Sequence, residues 1–142
     1  MGLSLDVSIA LVAIAPFIAA LLAPLIHRLA GSYTGWILAI VPAGIFMLLL
    51  RLAEPVVAGG TIEAAIGWVP SYGLTLAFFL DGLSAIFALT IAGIGALVVL
   101  YAGAYLKGHR HQGRFLAYLL AFMGSMLGLV LADNMLALFT FW

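Results

Sequence analysis

Polar positions along the 142 residues fall in a few short intervals, and long apolar runs fill the space between them. The runs are Val7–Ile26, Tyr33–Leu50, Gly82–Leu106 and Phe115–Ala132, none with a charged residue; a further run, Met135–Trp142, follows Asp133-Asn134. An α-helix rises about 1.5 Å per residue, so about 20 apolar residues cross a hydrocarbon core about 30 Å thick. The pattern predicts about four complete transmembrane helices, over 7–26, 33–52, 82–106 and 115–132, and the start of a fifth over 135–142. One central Arg or Asp would cost about 2.5–3.5 kcal/mol on insertion, and no run carries one. Pro16 and Pro42 fall near the middle of the first two runs. Each removes a backbone donor, and a kink is expected there. The last run gives only about 12 Å of helix. A helix ending inside the membrane leaves its final carbonyls unsatisfied, so a continuation or a covering neighbour chain is expected.

The connection over 53–80 changes period. From Thr61 to Trp68, Ile62, Ala64, Ile66 and Trp68 share one face, with Glu63 and Gly67 on the other. Pro70-Ser71-Tyr72-Gly73 reads as a turn, and Leu74, Leu76 and Phe78 then alternate again. Alternation around a Pro/Gly turn predicts a short β-hairpin outside the membrane. A hairpin alone is marginal, so this one is expected to pack on the helices or on a neighbouring polypeptide. A re-entrant segment would carry Glu63 and the turn into lipid.

Composition agrees with the pattern. Hydrophobic residues make up 67% and charged ones 7%, with mean hydropathy +1.33. A soluble chain carries about 25% charged residues, and a chain this short cannot hide so much apolar surface inside itself. The class is an all-α integral membrane protein. A net charge of zero supplies no field for nucleic acid. The lack of cysteine excludes disulfides, thiolate catalysis and iron–sulfur ligation. No basic segment precedes the first run, whose only nearby charge is Asp6, so a retained helix is expected rather than a signal peptide.

Charge also predicts orientation. His27 and Arg28 occupy the first short loop, and Lys107, His109, Arg110, His111 and Arg114 the third. Basic loops favour the cytoplasm. The other side carries Asp6, Glu54, Glu63, Asp81 and Asp133, with Arg51 its one base. The expected N-terminus is outside, in a multi-pass protein of a bacterial plasma membrane.

Small residues recur every fourth position: Ala88, Ala92 and Ala96; Gly124, Gly128 and Ala132; Ala117, Ala121 and Ser125. Each set lies on one helix face, where small side chains let neighbouring backbones approach. Gly93-Ile94-Gly95 lacks the preceding strand and third glycine of a nucleotide loop. Asp81 stands where the third helix begins and can cap its free N–H groups; an ion-path role is the alternative. Asp133-Asn134 reads as a turn and helix start, with the same alternative. His109 and His111 offer two imidazoles on a basic loop, too few ligands for a metal centre. Histidine titrates near neutrality, which makes them pH-sensing candidates. No nucleophile–base–orienter set is visible, so enzymatic chemistry is not expected.

The second half carries sharper motifs. They are Leu80-Asp81-Gly82-Leu83-Ser84, Gly93-Ile94-Gly95-Ala96-Leu97-Val98-Val99-Leu100-Tyr101-Ala102, Gly113-Arg114-Phe115, Met126-Leu127-Gly128-Leu129-Val130-Leu131-Ala132-Asp133-Asn134 and Phe139-Thr140-Phe141-Trp142. Together they resemble the large A subunit of the Mrp-type (Mnh or Sha) multisubunit Na⁺/H⁺ antiporters, relatives of the antiporter-like subunits of respiratory complex I. The resemblance covers the whole layout and is sharpest from Leu80 onward. It implies an antiporter-like helical bundle and Na⁺ export coupled to H⁺ uptake. It also implies other antiporter subunits as partners and no cofactor. It places the family's proton-transferring glutamate directly after Trp142 and the paired lysine two helices further on. No residue among these 142 takes that role by carry-over. Two other readings fit the same helices: a proton-pumping membrane subunit of an NADH–quinone oxidoreductase, or a membrane scaffold acting in assembly.

Overall fold

The structure, a computed structural model, describes residues 5–69, 71 and 74–142, without the side chains of Leu5, Asp6 and Trp68. Its elements are α1 (Leu5–Ala30), a 3-10 turn (Gly31–Tyr33), α2 (Thr34–Val57), β1 (Ile62–Val69), β2 (Leu74–Leu80), α3 (Gly82–Tyr105), α4 (Gln112–Leu131) and α5 (Met135–Phe141). Among the described residues, three segments are long and apolar enough to cross a membrane: Val7–Val57, Gly82–Tyr105 and Gln112–Leu131. The first holds both α1 and α2, which fold back on each other across the 3-10 turn. Gly31 takes φ 53 there, a left-handed value that glycine adopts without strain.

The helices outrun the apolar runs. α1 continues through His27 and Arg28 to Ala30, and α2 continues through Arg51, Glu54 and Pro55 to Val57. The expected connection over 53–80 therefore opens with helix. An apolar run marks what hydrocarbon tolerates, whereas the hydrogen-bonded helix can extend into the polar boundary on either side. Pro16 and Pro42 lie inside continuous helices, as do Pro24 and Pro55.

The hairpin is present as a two-stranded antiparallel sheet. Ile62 faces Leu80 and Ala64 faces Phe78, and all four side chains are buried, while Glu63, Ala65 and Gly67 are exposed. This is the alternation expected for β1. The register shifts between Gly67 and Val69, so the strand carries an irregularity there. Of the expected turn, Pro70, Tyr72 and Gly73 lie outside the described residues, as does the Trp68 side chain. The buried face packs on α1 and α5, and Ala132 adds an isolated bridge to Phe78.

The helices pack closely, as they must where lipid supplies no hydrophobic drive between them. α2 lies against α3, with a buried stripe of Ala85, Ala88, Ala92, Val99 and Ala102 on α3. Gly35 and Gly103 touch backbone to backbone at this crossing. α1 lies against α4, where Gly124 receives the ring of Phe17. Gly128 receives the ring of Phe141, whose centroid lies 6.1 Å from that of Phe17 and 5.8 Å from that of Phe78. The α4 glycines thus admit aromatic rings rather than a neighbouring backbone, which corrects the sequence expectation for that set. A ring set against the helix backbone needs the same missing Cβ that a close backbone crossing needs. Ala96, Ala117, Ala121, Ser125 and Ala132 are only half-buried. Outward faces remain apolar, with Leu21, Ile40, Ile86, Leu97 and Phe122 exposed.

Candidate functional site

Polar side chains gather at the two ends of the bundle. The apolar runs themselves hold no acidic, basic or histidine side chain. Thr90 and Thr140 return their hydroxyls to helix carbonyls one turn back, at 2.8 and 2.7 Å.

At one end stands Asp81, extended at the start of α3 and closing a reciprocal capping box. Ser84 N–H donates to Asp81 Oδ1 at 2.8 Å, and Asp81 N–H donates to Ser84 Oγ at 2.8 Å. Ser84 Oγ–H also reaches Asp81 Oδ1 at 2.8 Å. The Ser84 backbone N–H foremost, then its hydroxyl, holds the carboxyl below its usual range, against a smaller opposing effect of desolvation. Two free helix N–H groups are the usual beneficiaries of such a box. Asp81 lines a shallow cleft with Phe87, Val130 and Ala132; Asp133 does not line it.

Asp133 is exposed, and its backbone N–H donates to Ala77 O at 2.9 Å. Asn134 caps α5: its Oδ1 accepts from Ala137 N–H at 2.8 Å, and its Nδ2 donates to Thr75 O at 2.7 Å. The Asp133-Asn134 junction is thereby stitched along β2. The structure brings the junction and Asp81 to the same end of the bundle, through β2, which joins Asn134's partner Thr75 to Leu80.

The opposite end is basic. His27 and Arg28 of α1 meet Arg110, His111 and Arg114 around a cleft of about 310 Å³. The first and third loops therefore lie at one end. The rings of His109 and His111 stand 6.2 Å apart, both residues are exposed, and only His111 lines the cleft. Among the described residues no group of three or more His, Asp or Glu side chains could hold a metal ion.

Two polar residues here were not singled out from the sequence. Gln112 is fully buried at the start of α4, and its Nε2 donates to Gly103 O at 2.8 Å, closing the last turn of α3. Its Oε1 is buried without a protein partner among the described residues. Thr34 Oγ1 lies 3.2 Å from His27 Nδ1 and donates to Gly31 O at 2.5 Å. A glutamine just before an apolar run is a usable signal for the first. For the second, only the helix turn reveals the pair.

Long apolar helices, a capped third helix and a hairpin stitched to the junction after α4 define a helical membrane protein. Residues 68–116 match the family model described as the N-terminus of chain 5 of NADH-ubiquinone oxidoreductase (complex I). The chain is 44% identical over 131 residues to the A subunit of the Na⁺/H⁺ antiporter of Alkalihalophilus pseudofirmus, covering 91% of this chain and 16% of that protein. It is 42% identical over 130 residues to the A1 subunit of the Na⁺/H⁺ antiporter of Staphylococcus aureus, with the same coverage. The fold superposes on a polypeptide in the structure of the Mrp complex from Dietzia sp. with TM-score 0.79 and 35% identity, covering 99% of this chain and 14% of that one. A polypeptide of the archaeal membrane-bound sulfane sulfur reductase gives TM-score 0.76 at 23% identity, covering 95% of this chain and 21% of that one, a likeness of fold. Over most of its own length the chain is similar to the Na⁺/H⁺ antiporter A subunits. It spans about a sixth of the length of the relatives it matches, 16% in each of the two named.

Proposed function

We propose that this chain forms the first helices of the large subunit of a multisubunit monovalent cation/proton antiporter in a bacterial plasma membrane. The activity is secondary active Na⁺ export coupled to H⁺ uptake, in a complex with other antiporter subunits. The observation that carries the reading is the 42–44% identity to antiporter A subunits over 91% of the chain. Within the complex these helices act as scaffold, because their membrane-crossing runs hold no acidic, basic or histidine side chain to carry a proton. In this arrangement α1 and α2 each cross the bilayer, as do α3 and α4, and α5 begins a fifth crossing. The N-terminus and the β1–β2 hairpin face outside, and the basic loops face the cytoplasm. Asp81, Asp133 and Asn134 hold helix ends and the hairpin rather than an ion path. Capping bonds occupy Asp81 and Asn134, and Asp133 is exposed.

The test is the full-length gene expressed with its neighbouring subunit genes in a sodium-sensitive host. Restored growth in high Na⁺, with Na⁺-dependent collapse of a proton gradient in everted vesicles, supports the reading. Neither effect in a fully assembled complex would end it. A second reading, the proton-pumping membrane subunit of an NADH–quinone oxidoreductase, draws on the complex I description of the family matching residues 68–116. Co-purified flavin and iron–sulfur absorbance would favour that alternative over small hydrophobic antiporter subunits.

A further inference from the structure

The basic end holds its charges in an arrangement that orientation alone does not require. The positive-inside rule counts Lys and Arg in each loop and does not ask two loops to converge. Yet His27 and Arg28 from the end of α1 line one cleft with Arg110 and His111 of the loop before α4 and with Arg114 in its first turn. Among the described residues no carboxylate lines it. Arg114 also sits in the first turn of α4, where the helix dipole disfavours a cation and no acidic residue offsets it. Helix stability therefore does not explain its charge.

The cleft is firmly built. Thr34 Oγ1 donates to Gly31 O and meets His27 Nδ1. This contact helps to hold the His27 ring at the cleft. Gly113 lies directly against it: a Cβ there would come within 2.7 Å of His27 Cβ. Depth also matters. Between Val7 and Arg28 the helix rises about 30 Å, so the cleft falls where hydrocarbon gives way to headgroups. Exposed apolar side chains, Leu25 on α1 and Phe115 on α4, continue from the cleft's own helices toward the hydrocarbon.

Guanidinium groups match phosphate oxygens in planar pairs, and basic pockets between transmembrane helices suit anionic headgroups. We propose that this cleft binds the phosphate of an anionic phospholipid and so ties α1 to α4 at the membrane surface. The proposal rests on membrane embedding and on neither the transported ion nor the side that the cleft faces.

The experiment uses the full-length protein in its assembled complex, delipidated and then exposed to phosphatidylglycerol, phosphatidylcholine or inorganic phosphate. Native mass spectrometry counts the lipid retained. Wild type should retain phosphatidylglycerol over phosphatidylcholine. R28Q/R110Q/R114Q should lose that retention roughly tenfold or more, since each basic residue near an anionic surface contributes about a factor of five. The triple R28K/R110K/R114K keeps every charge, and hence the orientation, and should lose several-fold through the missing planar forks. R51Q, at the opposite end, should change nothing. Undiminished retention in the glutamine triple would overturn the proposal. So would wild-type retention in the lysine triple, which would leave surface potential as the whole cause. Displacement of the lipid by inorganic phosphate would make this a soluble-anion site, and loss of a neighbouring subunit in place of lipid would make it a protein contact. Either result also overturns the proposal.

Discussion

Gly35 of α2 and Gly103 of α3 touch backbone to backbone, and a Cβ on either would fall onto the other's main chain. Rigid backbone cannot yield as a side-chain tip can. Gly35→Ala should therefore push the helices apart, at a cost of about 1–3 kcal/mol, the range for overpacked cores. Gly44 in the same helix has nothing among the described residues within 4 Å of its would-be Cβ. Gly44→Ala should be neutral or stabilising, because glycine in a helix interior costs about 0.5–1 kcal/mol relative to alanine. Thermal unfolding of the purified complex in detergent checks the pair. Equal destabilisation by both changes would remove the crossing as the cause.

Asp81 and Ser84 cap α3 through each other, and the carboxyl titrates below its usual range because Ser84 N–H favours the charged form. A folded-state value below the unfolded one makes the ionised cap's contribution fully present above the unfolded Asp value of about 3.9. It is lost as pH falls through the lowered folded value. Asp81→Asn keeps an acceptor but cannot ionise, and Asp81→Ala removes the acceptor altogether. Denaturation midpoints should rank wild type above Asn and Asn above Ala at neutral pH. The gap between wild type and the Asn variant should close only in acid, below the ordinary carboxylate range. A gap closing near neutrality would point to a different titrating group.

Asn134 joins two jobs in one side chain, capping α5 and holding Thr75 O of β2. Asn134→Asp keeps the cap acceptor but turns an oxygen toward the Thr75 carbonyl, so it should loosen the hairpin while α5 stays capped. Asn134→Ala should lose both, about 1 kcal/mol for the cap and a further 0.5–1.5 kcal/mol for the hydrogen bond. Hydrogen exchange read separately over β2 and α5 distinguishes the two patterns. Protection unchanged in β2 for both variants would show that the hairpin is held by its buried face alone.

The four long apolar runs and the β1 alternation were legible because each is a period repeated over many residues. The pairing of hairpin, junction and α5 was not, since it rests on Phe78, Gly128 and Phe141 meeting from three elements. A spacing of four found Gly124 and Gly128 but not what enters them, and Gly35 belonged to no spaced set. Asp81 and Asn134 announced themselves by standing just before apolar helices, where a short polar side chain has an evident partner. The basic cleft was invisible, because charge counted loop by loop does not show which loops touch. Only the packing of α1 on α4 unites Arg28 with Arg110 and Arg114.

The proposed orientation draws on that same asymmetry and can be tested by cysteine labelling, because these 142 residues contain no cysteine. A cysteine placed at His109, in the exposed loop beside the basic cleft, should react only with permeant maleimide in intact cells. One placed at Ala58, in the exposed stretch between α2 and β1, should react with an impermeant reagent. The two sites lie at opposite ends of α3 and its neighbours, so their labelling should be mutually exclusive. Basic residues resist translocation through the bilayer, and Arg28, Lys107, Arg110 and Arg114 all lie at the His109 end, against Arg51 alone at the other. Labelling of position 109 from outside would invert the bundle. Labelling of both positions from outside would deny that the helices between them cross an odd number of times.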